Sequence, residues 1–75
     1  MAKKVKEEHH VYKIVEVVGS SSTSWEDAAR AAVESASKSL RDLRVAEITK
    51  LDMKLDDGKV VAYRARVSMS FKYED

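Results

Sequence analysis

Cysteine and proline are both absent from the 75-residue chain, and glycine occurs only twice. The missing cysteine excludes a disulfide framework, a thiolate nucleophile and a cysteine-based zinc site. Long apolar runs are missing as well, because the longest, residues 60–63, is far shorter than the roughly 18 residues of a membrane span. No signal-type apolar stretch follows the first residues either. These absences lead us to expect a cytoplasmic protein with no membrane partner.

An excess of one charge is also lacking, since 14 lysines and arginines stand against 13 aspartates and glutamates. The formal net charge of +1 gives no overall field that would hold nucleic acid or an anionic membrane. A domain of this size buries only about 60% of the surface that its unfolded chain exposes, and no disulfide can compensate. We therefore expect one small domain that is stabilised by assembly into an oligomer or by a bound ligand.

The apolar pattern begins after residues 1–10, which are rich in charge and show no useful periodicity, so we interpret them as a flexible N-terminal lead-in. Residues 11–18 are β-branched and aromatic, which predicts the first strand. The odd positions of this strand form one apolar stripe. On its other face Tyr12, Ile14 and Val18 are apolar as well, so that face is expected to need a cover.

A helix is predicted next, because Gly19 ends the strand and residues 20–24 are helix-capping types. Thr23 and Glu26 have the spacing of a capping box. Apolar residues then recur every three or four positions to about Leu43, which indicates an amphipathic helix of that length. Three basic residues near its predicted end would complement the helix dipole: Lys38, Arg41 and Arg44.

Two further strands complete the prediction. Alternation returns over residues 45–55, and Asp57–Gly58 favours a tight hairpin turn. In the last strand the odd positions from Tyr63 to Tyr73 are apolar and the even positions polar. The order is β-α-β-β, an α+β fold in which a three-stranded antiparallel sheet wraps on one helix, with the third strand in the middle. The helix is expected to cover the face that bears these residues: Val15, Val17, Val67 and Phe71.

Common catalytic and metal-binding motifs do not match. The serine-rich loop could cradle an anion at the helix start, although capping alone explains it. An EF-hand fails, because Gly58 at its sixth position puts Met53 first and Leu55 third. His9 and His10, the only imidazoles, are adjacent and unsuited to converge on a metal. No nucleophile has an evident base, so we expect a protein without enzymatic activity.

The polar face of the last strand offers a more open choice. Arg64, Arg66 and Lys72 share this face and together could bind an acidic ligand. They could equally pair with Glu16 and Glu47, which are predicted to lie on the same side of the sheet. The sequence alone leaves both interpretations open.

The chain resembles the dodecin family in residues 11–21, 46–48 and 63–71, with an alanine-rich helix between them. The resemblance extends over residues 11–75, which we take as the dodecin-like domain. Dodecins are β-α-β-β subunits that assemble twelve at a time into a hollow sphere, bind flavins or other small ligands and are not known for catalysis. The resemblance therefore implies a homododecamer, in which the open face of the sheet would be covered.

The resemblance also implies where a ligand would bind. Flavin-binding dodecins have a stacking tryptophan at the position of Val45, a ring-binding glutamine at that of Arg64 and an arginine at that of Asp52. All three residues differ here, so tight binding of FMN or riboflavin is not expected. We assign Val45, Arg64 and Lys72 to a pocket for a small ligand.

Within the family, residues 22–26 and 44–46 are more similar to the calcium dodecin group. Calcium prefers several hard oxygen ligands, which the symmetry of an oligomer could gather from strand carboxylates. We predict a calcium site formed by Glu16, Glu47 and Asp52 at subunit junctions. The predicted function is a non-enzymatic homododecamer that binds or stores a small ligand or a divalent cation. The alternatives are a flavin-binding dodecin with an altered pocket and a structural assembly without a ligand.

Overall fold

The structure, a computed structural model, describes residues 11–72. Its elements in chain order are β1 (Tyr12–Ser21), α1 (Trp25–Ser37), β2 (Leu43–Asp56) and β3 (Lys59–Lys72). This order confirms the predicted β-α-β-β arrangement of an α+β fold. The predicted lead-in with His9 and His10, and the end of the predicted last strand at Tyr73, lie outside the described residues.

The three strands form one antiparallel sheet in the order β1-β3-β2, so β3 lies in the middle as predicted. Strands β2 and β3 are joined by the two-residue turn Asp57–Gly58, with φ of 54° and 77°. Positive φ at both central residues is the requirement of the hairpin turn that matches the twist of the strands. The predicted Asp-Gly hairpin is therefore confirmed.

The helix starts one residue later than the predicted capping box. Ser24 is the N-cap, and its hydroxyl accepts a hydrogen bond of 3.0 Å from the Asp27 backbone N–H. The Thr23–Glu26 capping box is wrong. A second hydroxyl, that of Ser21, accepts a hydrogen bond of 2.9 Å from the Thr23 N–H and donates one of 2.7 Å to Asp27 Oδ2. The two serines together hold the turn from β1 into the helix.

The helix ends at Ser37, so the predicted extension to about Leu43 is wrong. The apolar spacing continues past the helix because Leu40, in the connecting turn, and Leu43, at the start of β2, still pack on the core. Asp42, with a φ of 56°, lies just before β2. The basic residues proposed to complement the helix dipole therefore lie at or beyond the end of α1: Lys38, Arg41 and Arg44.

The core lies between α1 and one face of the sheet, as predicted. Val15, Val17 and Val67 pack there, and Phe71 is half-buried. Gly19 allows β1 to approach the helix closely, because a Cβ at this position would overlap the carbonyl oxygen of Ala28. The buried apolar side chains are all alanines on the helix, whereas the sheet also contributes larger ones: Ala28, Ala32, Ala36, Ala65, Val67 and Met69.

This core is small for the length of the strands. The radius of gyration is 16.3 Å and the longest dimension is 62 Å, whereas a compact chain of this length has a radius of gyration of about 11 Å. No residue of β2 is buried, although the strand is 14 residues long. Much of the hairpin of β2 and β3 therefore extends beyond the cover that one helix provides.

Candidate functional site

The face of the sheet turned away from α1, called the open face here, carries the charged candidates. It consists of the even-numbered residues of β1, the even-numbered residues of β3 from Ala62 onward and the β2 residues that pair with them. Apolar side chains lie among the charges, with Ile14 61%, Val18 49% and Tyr12 41% exposed. The exposed apolar surface predicted on this side of β1 is therefore confirmed.

Two of the predicted metal ligands lie in one row across the open face. Glu16 of β1 and Glu47 of β2 both pair with Ser68 of β3, one on each side. We call Glu16, Ser68 and Glu47 the acidic row. Two strand spacings place the Glu16 and Glu47 backbones about 10 Å apart. Among the described residues, neither carboxylate has a hydrogen bond or an ion pair.

A row of opposite charge lies directly beside the acidic row. Arg66 of β3 pairs with Val18 of β1 on one side and with Lys50 of β2 on the other. We call Val18, Arg66 and Lys50 the basic row. Residues on one face of a strand are two positions apart, so the two rows are separated by about 7 Å. The charge on the open face therefore changes from negative to positive between two neighbouring rows.

Asp52, the third predicted ligand, is bound within the chain. Its two carboxylate oxygens accept hydrogen bonds from Arg64 Nε at 2.7 Å and from Arg64 Nη2 at 2.8 Å. Hydrogen bonding to Arg64 lowers the pKa of the Asp52 carboxyl, and the same contact raises the pKa of Arg64. Arg64 therefore pairs with Asp52, not with Glu16 or Glu47.

The backbone of Asp52 has a second partner. The Trp25 indole N–H donates a hydrogen bond of 3.0 Å to the Asp52 carbonyl oxygen. The Trp25 ring meets the ring of Tyr63 edge to face, with centroids 5.1 Å apart and planes at 69°. Trp25 thus links the first turn of α1 to both strands of the hairpin, which is the role of an anchor.

One chain alone does not gather the three predicted calcium ligands. Asp52 pairs with Arg64, four residues along β3 from Ser68, which corresponds to about 13 Å. Within residues 11–72, no three or more histidine, cysteine, aspartate or glutamate side chains form a group that could hold a metal ion. A cation site built on these carboxylates would need side chains from more than one copy.

A model of the family described as Dodecin matches residues 11–74 of the chain. The chain belongs to the dodecin family. A relative, the Calcium dodecin of Mycobacterium tuberculosis, is 44% identical over 62 residues, which cover 83% of this chain and 87% of that protein.

Solved dodecin structures are similar along most of the chain. The dodecin of Streptomyces coelicolor is 34% identical with a TM-score of 0.83, and the match covers 89% of this chain and 96% of that one. The calcium dodecin of Mycobacterium tuberculosis, described as calcium chelating with a novel calcium-binding site, is 42% identical with a TM-score of 0.77. That match covers 85% of this chain and 91% of the other.

The predicted dodecin pocket is not assembled in one chain. Val45 pairs with Ser70, which is six residues along β3 from Arg64, or about 20 Å. Lys72 pairs with Tyr12 at the end of the sheet. Val45, Arg64 and Lys72 therefore do not converge on one ligand within a single subunit.

Val45 instead lines a small apolar depression of about 120 Å³ between the helix and the start of β2. Sequence reasoning missed the other residues of this depression, because an irregularity of the β2 register between Leu43 and Val45 cannot be read from alternation. The depression is lined by Val33, Leu43, Arg44, Val45, Ala46 and Met69.

The serine-rich loop of this dodecin is used for capping. Ser21 and Ser24 accept hydrogen bonds from the N–H groups of Thr23 and Asp27, and the Asp27 carboxylate lies beside them. A negative charge already at the helix N-terminus leaves little attraction for an anionic ligand. The structure therefore supports the capping interpretation over the anion cradle.

Helix α1 of this dodecin is 13 residues long. Within the described residues, no helix is long and apolar enough to cross a membrane.

Proposed function

We propose that this dodecin forms a hollow assembly of twelve copies that binds calcium and catalyses no reaction. The observation that supports assembly is the apolar surface that one chain leaves exposed on both sides of its sheet. Monomeric proteins rarely expose large contiguous apolar patches. A second copy is the natural cover, because the exposed residues lie on regular strands with a repeating pattern.

The exposed apolar side chains are not confined to the open face. Ile48, Leu51 and Met53 pair with the helix-side residues of β3, yet they are 51%, 50% and 46% exposed because α1 hardly reaches β2. Full burial of one such side chain contributes roughly 1.5–3 kcal/mol. Contacts on both sides of the sheet are therefore favourable, and contacts in several directions are what a closed shell requires.

Calcium is supported by the chemistry of the acidic row. Glu16 and Glu47 offer carboxylate oxygens on rigid strands, and symmetry-related copies would raise the number of ligands. Asp52 is the weaker candidate of the three, because calcium would have to displace the Arg64 guanidinium. The relatives named as calcium dodecins are consistent with this choice of ion.

The assembly and the ion can be tested in one experiment. Native mass spectrometry of the purified protein, with calcium and after chelation, reports both the number of subunits and the number of bound ions. We expect twelve subunits carrying calcium that the chelator removes. A monomeric mass in dilute neutral buffer would contradict the proposed assembly.

Calorimetry with variants tests the ligands. Glu16→Gln keeps the shape of the side chain but removes its charge, so calcium affinity should fall about tenfold or more. Glu34→Gln, on the exposed surface of α1, is the matched control and should bind as the wild type does. Removal of residues 1–10, with both histidines, should leave binding intact. If calcium gives neither heat nor a change in melting temperature, a structural assembly or a small-molecule carrier is the better interpretation.

The second candidate is a flavin-binding dodecin with an altered pocket. Its support is membership of the family. Against it, Val45 offers no ring for stacking, and Arg64 is occupied by Asp52. A yellow purified protein with flavin absorbance would favour this candidate over calcium.

A further inference from the structure

The acidic row and the basic row make the open face complementary to itself. The acidic row offers two carboxylates with no partner among the described residues, and the neighbouring basic row offers Arg66 and Lys50. Neither Arg66 nor Lys50 has an ion pair within residues 11–72. Charges of opposite sign therefore lie on adjacent levels of the same exposed surface, with apolar side chains around them.

A two-fold rotation brings these rows together. The two-fold axis lies in the plane between the two sheets and runs perpendicular to the strands. Its position along the strands is that of Val67, midway between the acidic row and the basic row. The acidic row of one copy then faces the basic row of the other. Because such a contact is isologous, Glu47 faces Lys50 of the second copy and Lys50 faces Glu47 of the second copy.

Other levels of the axis are unfavourable. An axis level with the acidic row would place its carboxylates against the same carboxylates of the second copy. An axis level with the basic row would do the same with Lys50 and Arg66. Like charges brought together across an interface oppose binding, so the charges select one register of the two open faces.

We propose that the open face binds a second copy of this chain in this two-fold register, and that Glu47 and Lys50 determine it. Apolar residues such as Ile14, which is 61% exposed, supply the area to be buried, and the charge pair aligns it. The inference rests on the proposed assembly but does not depend on calcium. In this register Glu16 faces Val18 of the second copy and stays available to a cation, whereas a cation would have to displace Lys50 of the second copy from Glu47.

A charge exchange tests the register. Glu47→Lys and Lys50→Glu each place like charges opposite one another and should weaken assembly about tenfold or more, as measured by sedimentation velocity. The double variant restores opposite charges at both contacts and should assemble nearly as the wild type does. Glu34→Lys, on the exposed surface of α1, is the control for the change in net charge and should have no effect.

The outcomes separate this inference from the proposed function. Recovery in the double variant supports the register even if the single variants unfold when they dissociate. Single variants that assemble as the wild type does, or a double variant no better than the single ones, would overturn it. A monomeric wild type would overturn the assembly and this contact together. A wild type that is oligomeric in chelator, and is disrupted by Lys50→Glu, would support the contact even if calorimetry finds no calcium binding.

Discussion

At the scale of single residues, Asp52 connects the two sides of the sheet. Its carboxylate accepts two hydrogen bonds from Arg64 on the open face, and its backbone carbonyl accepts one from the Trp25 indole. Asp52 lies on the strand farthest from the core, where α1 makes few contacts. These polar contacts therefore attach β2 where apolar packing is sparse.

The Asp52 carboxyl should make the free energy of unfolding depend on pH in the acidic range. Its pKa lies below the ordinary 3.8 because it accepts hydrogen bonds from Arg64. A lowered folded-state pKa adds stability that is complete above the unfolded pKa and is lost as pH falls through the folded pKa. We expect Asp52→Asn to be less stable than the wild type at pH 7, with a smaller further loss below about pH 4.

Denaturant unfolding from neutral to acidic pH measures this difference. Arg64→Gln should reproduce the flattened acid dependence, because it removes the partner. The same acid slope in the wild type and in Asp52→Asn would contradict the role given to the ion pair.

At the scale of the elements, the start of α1 depends on a single side chain. Ser24 is the N-cap, whereas Thr23 lies outside the helix. We expect Ser24→Ala to lower the free energy of unfolding by about 1 kcal/mol, the usual cost of losing an N-cap. Thr23→Ala is the control and should cost much less, as measured by thermal and denaturant unfolding. A larger loss for Thr23→Ala would restore the capping box suggested by sequence.

Elements with one clear periodicity could be predicted from sequence, and their ends could not. Strand β3 alternates regularly from Tyr63 onward, and Asp57–Gly58 fixes the hairpin, so the strand order followed correctly. Leu40 and Leu43 kept the helical spacing although the helix ends at Ser37, because residues in a connection can also pack on the core. Apolar spacing reports burial, and it does not report backbone conformation.

The candidate site was harder to predict than the fold, because it depends on β2. Strict alternation would put Glu47 and Asp52 on opposite faces of the sheet. An irregularity between Ile48 and Lys50 places both on the open face. No residue type in this segment signals such a shift, so the two charged rows became visible only in the structure.

At the scale of the whole molecule, the subunit is long and thin for its sequence length. Its radius of gyration of 16.3 Å reflects a hairpin that extends well beyond α1. An extended subunit buries little of its own surface and presents much of it to neighbours. In the proposed assembly, a site would therefore combine residues that are far apart in one copy, as Val45 and Arg64 are.

The prediction for flavins concerns the proposed assembly as a whole. Riboflavin and FMN should bind weakly or not at all to the wild type, because no tryptophan stands at position 45 and Arg64 offers only donors. Val45→Trp with Arg64→Gln should strengthen binding, seen as increased quenching of flavin fluorescence. Val45→Leu with Arg64→Gln is the control for the stacking ring. Tight stoichiometric quenching by the wild type would contradict this expectation.

Thr49 is an extra residue in β2, and its position affects which deletions the sheet tolerates. Thr49 has no partner in the register, and its hydroxyl donates a hydrogen bond of 3.2 Å to the Arg66 carbonyl oxygen. Loss of Thr49 would remove this irregularity and leave Lys50 and every later position of β2 opposite the same β3 residue and on the same face. Loss of Val67, which pairs with both neighbouring strands, would instead move the later positions of β3 to the other face. A single codon deletion there would act as a frameshift in the sheet, although the reading frame of the message stays intact.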